Sequence, residues 1–109
     1  MDEQAFRRAA DEALESVNKA LMPAAEEHEF EVDFNAGVLT IEFEDPSPAR
    51  FVISPNTPVR QVWVSALSKS FKLEWSGARN TFVWPETGET LVALIGRVVS
   101  QHLGAPVSL

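Results

Sequence analysis

Hydrophobic and polar positions alternate with two different periods along this chain, and each change of period marks a new element. Over residues 3–22, Phe6, Ala10, Ala13, Leu14, Val17 and Leu21 recur at three- and four-residue spacing, the signature of one apolar helix face. Asp2 and Glu3 stand where the start of a helix dipole favours negative charge. Pro23 disfavours a helical Met22, so the helix is expected to end there, with Ala24 and Ala25 leading out. From Glu26 to Asp45 the period becomes two. Phe30, Val32 and Phe34 alternate with Glu29, Glu31 and Asp33. Leu39, Ile41 and Phe43 alternate with Thr40, Glu42 and Glu44. This predicts a β-hairpin with its apolar set on a core and the other set in water. Asn35-Ala36-Gly37 supplies the turn, with Asn35 and Gly37 both tolerant of positive φ.

Further strands follow. Arg50–Ser54 puts Phe51 and Ile53 on one face. Pro55-Asn56-Thr57-Pro58 reads as a rigid loop, since two prolines fix φ and remove two donors. In Gln61–Ser65, inward Val62 and Val64 leave Gln61, Trp63 and Ser65 on the outer face. Phe71–Trp75 places Phe71, Leu73 and Trp75 inward, and Thr81–Trp84 is a short strand ended by Pro85. A last helix opens at Thr87 or Glu89. Its stripe is Leu91, Leu94, Ile95, Val98 and His102 or Leu103, and Gly104 before Pro106 stops it. Gly96 costs this helix about 1 kcal/mol against Ala, and a closely approaching backbone would account for it.

The order helix, strands, helix predicts an α+β two-layer sandwich. Two helices pack on one face of an antiparallel sheet of five to six strands, and the other face meets water. The acidic strand belongs at the sheet edge, where its charges also block edge-to-edge pairing. A chain of 109 residues fits one domain spanning 1–109.

Composition narrows the chemistry. Cysteine is absent, which excludes disulfides, thiolate metal sites and cysteine-held iron–sulfur clusters. The net charge is −7 and the pI near 4.7, which argues against nucleic acid and anionic membranes as partners. The charge is unevenly spread: residues 1–45 carry thirteen acids and three bases, residues 46–109 three acids and six bases. No apolar run approaches the roughly 18–20 residues of a membrane span. The opening Met-Asp-Glu-Gln-Ala-Phe-Arg-Arg matches neither a signal nor a transit peptide, so a cytoplasmic location is expected.

Strands usually avoid Asp and Glu, so Glu29, Glu31 and Asp33 on one face need a reason. One is solubility and protection of an edge. The other is a site. Joined by Glu26, Glu27, Asp11, Glu12 and Glu15, they make an acidic ridge whose repulsion a bound cation or a basic protein surface relieves. Same-face strand neighbours lie about 7 Å apart, whereas ligand oxygens converge to about 2.0–2.6 Å from an ion. The ridge therefore suits open, hydrated, weak sites of one or two carboxylates. All-oxygen ligation fits iron, manganese, calcium or magnesium. His28 lies beside Glu27 and Glu29, though a lone histidine there is more often simply exposed. His102 stands at a helix C-terminus, where a cation is welcome, and Lys19 is spaced to pair with Glu15. Trp63, beside Gln61 and Ser65 rather than Val62 and Val64, is placed as an interface anchor on the open face. No nucleophile–base spacing or phosphate loop is present, and the carboxylates lie on a convex surface, so the chain is read as no enzyme.

The stretch from Phe51 to Ser65, with Thr57-Pro58-Val59-Arg60-Gln61-Val62-Trp63 at its centre, resembles the signature of the frataxin family and its bacterial CyaY-like members. Asn35-Ala36-Gly37-Val38-Leu39-Thr40 and Gly88-Glu89-Thr90-Leu91 resemble it too, so the likeness runs along nearly the whole chain. It implies an α–β-sheet–α sandwich and weak binding of ferrous or ferric iron on a ridge formed by the first helix and first strand. It implies regulation of, or iron delivery to, iron–sulfur cluster assembly, by a protein that is a monomer without metal. It also implies two partners: a cysteine desulfurase whose basic patch meets the ridge, and an iron–sulfur scaffold protein that meets the sheet face at Trp63, Gln61, Asn56 and Lys72. Where the family usually keeps acids late in the first helix, this chain has Asn18, Lys19, Met22, Pro23 and Ala25. The metal-binding expectation therefore falls mainly on Glu26, Glu27, Glu29, Glu31 and Asp33, with Asp11 and Glu15 behind them. Ser54 stands where an asparagine is common. The alternative is a small acidic protein-binding chaperone with no metal role. Such folds place a helix in mid-sheet, and residues 46–86 show prolines and no helical period.

Overall fold

Asp2 starts the first helix, its carboxylate accepting the Ala5 N–H at 2.7 Å. The computed structural model describes residues 1–109. Helix α1 spans Glu3–His28 and buries Phe6, Ala10, Leu14, Val17, Leu21 and Ala24. It runs six residues past the expected end, with Pro23 inside it. Pro23 is exposed while Ala24 is buried. The ring thus sits on the water side, where the Lys19 carbonyl left without an N–H partner can be hydrated. Packing of Ala24 carries the helix on, overriding the local preference. The helix stops at Glu29, in the left-handed region at φ 57, whose N–H bonds the Ala25 carbonyl.

Seven strands follow: β1 (Glu31–Asn35), β2 (Val38–Phe43), β3 (Ala49–Asn56), β4 (Gln61–Ala66), β5 (Lys69–Ser76), β6 (Thr81–Trp84) and β7 (Glu89–Thr90), with a single 3-10 turn at Thr57–Val59. They form one sheet in sequence order, each pair antiparallel. The fold is the expected α+β sandwich with one more strand. The addition, β7, is two residues that pair with Val83 and Trp84, too short to leave a period. It also moves the start of helix α2 (Leu91–Leu103) to Thr90, whose hydroxyl accepts the Ala93 N–H at 3.2 Å. Thr87 and Glu89 lie before it.

Three local expectations change. Asn35 pairs with Val38, so the turn is the two residues Ala36 and Gly37, at φ 52 and 79. This type I′ geometry needs positive φ at both central positions, and Asn35 stays in the strand. Thr40 is only 8% exposed, because Asp33 and Val52 flank it on the adjacent strands of the open face. Pro55 belongs to β3 rather than to a loop. Pairing with β2 ends at Ile53, so one side of β3 is bare at the proline.

The inward faces of the sheet and both helices share one core of 23 residues, with Phe6 edge-on to Phe82 at 5.8 Å. Burying each large side chain stabilises by about 1.5–3 kcal/mol. His102 is drawn into the margin of that core. Its ring lies 4.5 Å from Phe43, and its Nε2 is 3.1 Å from the Ser47 carbonyl. The close approach expected at Gly96 is not there: the nearest atoms, Val107 O and Leu109 Cγ of the chain's own end, lie 3.7 Å from where a Cβ would stand, an ordinary contact that leaves room for a methyl. The Ser100 hydroxyl holds that tail by accepting the Val107 N–H at 2.9 Å. No helix is long and apolar enough to cross a membrane.

Candidate functional site

The sheet order places β1 at one edge, and this edge concentrates the acids. Glu31 and Asp33 are exposed on the open face, alternating with half-buried Val32 and Phe34. The other three acids expected on the hairpin are elsewhere. Glu26 and Glu27 lie in the last turns of α1, and Glu29 caps it. The fold still gathers part of the set. A groove between α1 and β1 is lined by Met22, Ala25, Glu26, Phe30, Glu31 and Asp33. A second groove, around the other side of Glu31, is lined by Glu29, Glu42, Glu44 and Arg50. Glu27 points to solvent, 3.7 Å from His28 Nε2.

Helix residues split the ridge in two. At 1.5 Å rise per residue, Asp11 lies about 22 Å, and Glu15 about 16 Å, along the helix from Glu26. Between them stands Lys19, paired with Glu15 at 3.6 Å. Glu12 faces the other flank, in a groove with Ala13, Trp75 and Leu91, and does not belong to the ridge. No three His, Asp or Glu side chains are close enough together to hold one metal ion.

Glu42, Glu44 and Arg50 were not singled out from the sequence, although Glu42 and Glu44 lay on the predicted outer face of the second strand. Glu31 stands directly opposite Glu42. Glu42 stands opposite Arg50, with Arg50 Nε 3.9 Å from Glu42 Oε1. Along this row two like charges face each other and one opposite charge compensates part of the repulsion.

The second surface lies further across the open face. Trp63 is 36% exposed, between Ser54 and Lys72 on the flanking strands. Gln61 lies between Asn56 and Glu74. The four residues expected to serve a partner are therefore neighbours. The Trp63 Nε1–H donates to Gln61 Oε1 at 2.9 Å, and Gln61 Nε2 donates to Glu74 Oε2 at 3.3 Å. Lys72 Nζ sits 4.8 Å from the Trp63 ring centroid, a cation–π contact between neighbouring strands. Glu74 joins the cluster through register alone; its only sequence signal is its alternation with Leu73 and Trp75.

Outside both surfaces, Arg97 grips Glu89 through two hydrogen bonds of 2.8 and 3.0 Å. These bonds hold the Glu89 carboxyl below its ordinary value, against the opposing effect of partial burial. The pair joins β7 to α2, 6.0 Å from the Trp84 ring, and is structural.

Residues 1–105 match the frataxin-like domain family. The iron–sulfur cluster assembly protein CyaY of Ralstonia nicotianae is 31% identical over 113 residues, a match covering 100% of this chain and 95% of that one. The protein of the same name from Azotobacter vinelandii is 27% identical over 95 residues, covering 85% of this chain and 84% of its own length. Among solved structures, the frataxin of Psychromonas ingrahamii superposes with a TM-score of 0.76 at 19% identity, covering 99% of this chain and 97% of that one. That likeness concerns the fold.

Proposed function

We propose that this chain, which belongs to the frataxin-like family, serves iron–sulfur cluster assembly by binding its partners on two surfaces, without catalysis of its own. The observation that carries this is the end-to-end likeness to relatives named for cluster assembly, on a molecule that separates an acidic edge from a tryptophan-centred face. The acidic edge, from Glu26 and Glu29 to Glu31 and Asp33, takes the basic patch of a cysteine desulfurase, steered by charge. The face of Trp63, Gln61, Asn56 and Lys72 takes the scaffold protein, with the exposed indole as anchor. Iron is cargo rather than a resident cofactor. One or two carboxylates hold it with its hydration shell largely kept, because the side chains do not converge on a common point. Glu26, Glu31 and Asp33, which share a groove, are the first candidates; Asp11 and Glu15 form a separate, weaker locus. The protein works in the cytoplasm as a monomer when metal is absent.

The test is a pull-down of purified desulfurase and scaffold on the immobilised chain, with and without ferrous iron. Desulfurase capture is expected to fall steeply with salt and on reversing charge at Glu31 and Asp33. Scaffold capture is expected to fall on Trp63→Ala. Capture of neither protein, under either metal condition, refutes the assignment.

A further inference from the structure

Edge strands are the places where a sheet can accept another chain. In this sheet the two edges differ. The β7 edge is two residues long. The β1 edge is five, and its hydrogen-bonding register shows which groups are free. Asn35 and Val38 flank a two-residue turn, so they form a hydrogen-bonded pair. Alternation then makes Asp33–Thr40 and Glu31–Glu42 hydrogen-bonded, and Phe34–Leu39 and Val32–Ile41 not. The N–H and C=O groups of Val32 and Phe34 therefore point away from β2, along the open edge. Beneath that edge runs the groove that includes Met22, 47% exposed, and Ala25. Above it stand Glu31 and Asp33. Free backbone groups and outward carboxylates thus alternate along β1 at a strand's period, beside apolar ground supplied by α1.

We propose that β1 is a strand-docking edge: an extended segment of a partner protein, alternating basic and apolar residues, pairs with Val32 and Phe34 and extends the sheet. This rests on the proposed role of the acidic edge as a surface for cationic partners and specifies the conformation that partner adopts. Residues of the segment opposite Val32 and Phe34 share their face and extend the core beside Met22. Residues opposite Glu31 and Asp33 share the outer face, where only lysine or arginine relieves the charge. A second copy of this chain is a poor occupant. In an antiparallel self-pair centred on Asp33, that carboxylate meets its own copy, the like-charge arrangement that destabilises a sheet.

The probe is the blocked peptide acetyl-Lys-Val-Lys-Val-Lys-Val-Lys-amide, against the same peptide N-methylated at its valines, which keeps charge and side chains but lacks the pairing N–H groups. Amide hydrogen exchange and affinity are measured on the full chain. At saturation, exchange at Val32 and Phe34 is expected to slow by about tenfold, and the N-methylated peptide to bind roughly tenfold more weakly. Val32→Pro removes an outward N–H that β2 does not use, so it is expected to fold, as checked by circular dichroism, and to lose the peptide comparably. Equal binding of the two peptides, or protection centred anywhere but Val32 and Phe34, overturns the proposal. So does an unliganded chain that dimerises through β1. Any of these results alongside intact, salt-sensitive desulfurase capture removes strand docking and leaves the acidic surface. Loss of that capture with strand docking intact removes the desulfurase assignment alone.

Discussion

Neutralising Glu31 should stabilise this protein, and by more than neutralising its neighbour Asp33. The cause is the pairing of Glu31 with Glu42. Opposed residues of a hydrogen-bonded antiparallel pair lie about 5.5 Å apart at Cα. Two unit charges about 6 Å apart in water repel by roughly 0.7 kcal/mol at low salt, within the range of about 0.2–1 kcal/mol for cross-strand pairs. Arg50, 3.9 Å from Glu42, already compensates part of the charge, so Glu31→Gln should gain about 0.3–0.7 kcal/mol. Unfolding entropy near 2.1 cal/mol/K per residue makes that a rise in Tm of about 1–3 °C for 109 residues. Asp33 faces Thr40, so Asp33→Asn should gain less. The assay is thermal unfolding followed by circular dichroism at about 10 mM and about 1 M salt. The gain should nearly vanish at high salt, where the screening length is about 3 Å, and should grow in an Arg50→Gln background. Millimolar divalent cation should raise the Tm of the parent chain more than that of Glu31→Gln, since a ligand of the folded state stabilises by mass action. Equal gains at both positions, or a gain that survives high salt, would refute the argument from register.

Three further outcomes follow from the fold. Trp63→Ala should cost well under the roughly 3–5 kcal/mol of a core tryptophan, because the residue is 36% exposed, while removing scaffold capture; a loss of core-like size in urea unfolding would place the indole in the fold instead. Gly96→Ala should raise stability by up to about 1 kcal/mol in the same assay, since the nearest atoms outside the helix backbone lie 3.7 Å from the new methyl; destabilisation would mean the C-terminal tail packs more tightly than that. Glu89→Gln should destabilise at pH 7. The folded carboxyl is held below its unfolded value, chiefly by Arg97, so its contribution is present above the unfolded value and is lost as pH falls through the folded one. The gap between parent and variant in a pH series of denaturant melts should therefore close on acidification, and a gap that widens would reverse the assignment.

The hydrophobic period settled the class of each long element and the inward face of each strand. Phe51, Ile53, Val62, Val64, Phe71 and Leu73 are all buried, because burial on a pleat is a property of the single strand. The outward Trp63 was legible for the same reason, and the edge position of the acidic strand from the charges that an edge accommodates. Pro23 misled, because a local rule about the residue before proline cannot see that Ala24 is needed by the core; with it went the placement of Glu26, Glu27 and Glu29. Two-residue β7 left no period to read. The larger gap concerns partners. That Glu31 faces Glu42, that Lys72 covers Trp63 and that Glu74 holds Gln61 follow from register. Register is set by turn lengths and by the joint burial of seven strands, and no single stretch encodes it. The sequence alone determined that this chain carries an acidic surface and an exposed tryptophan on an open sheet. Tertiary structure decided which acids lie together, which are parted by the length of a helix, and which backbone groups are left free at the edge, because those are distances between residues far apart in the chain.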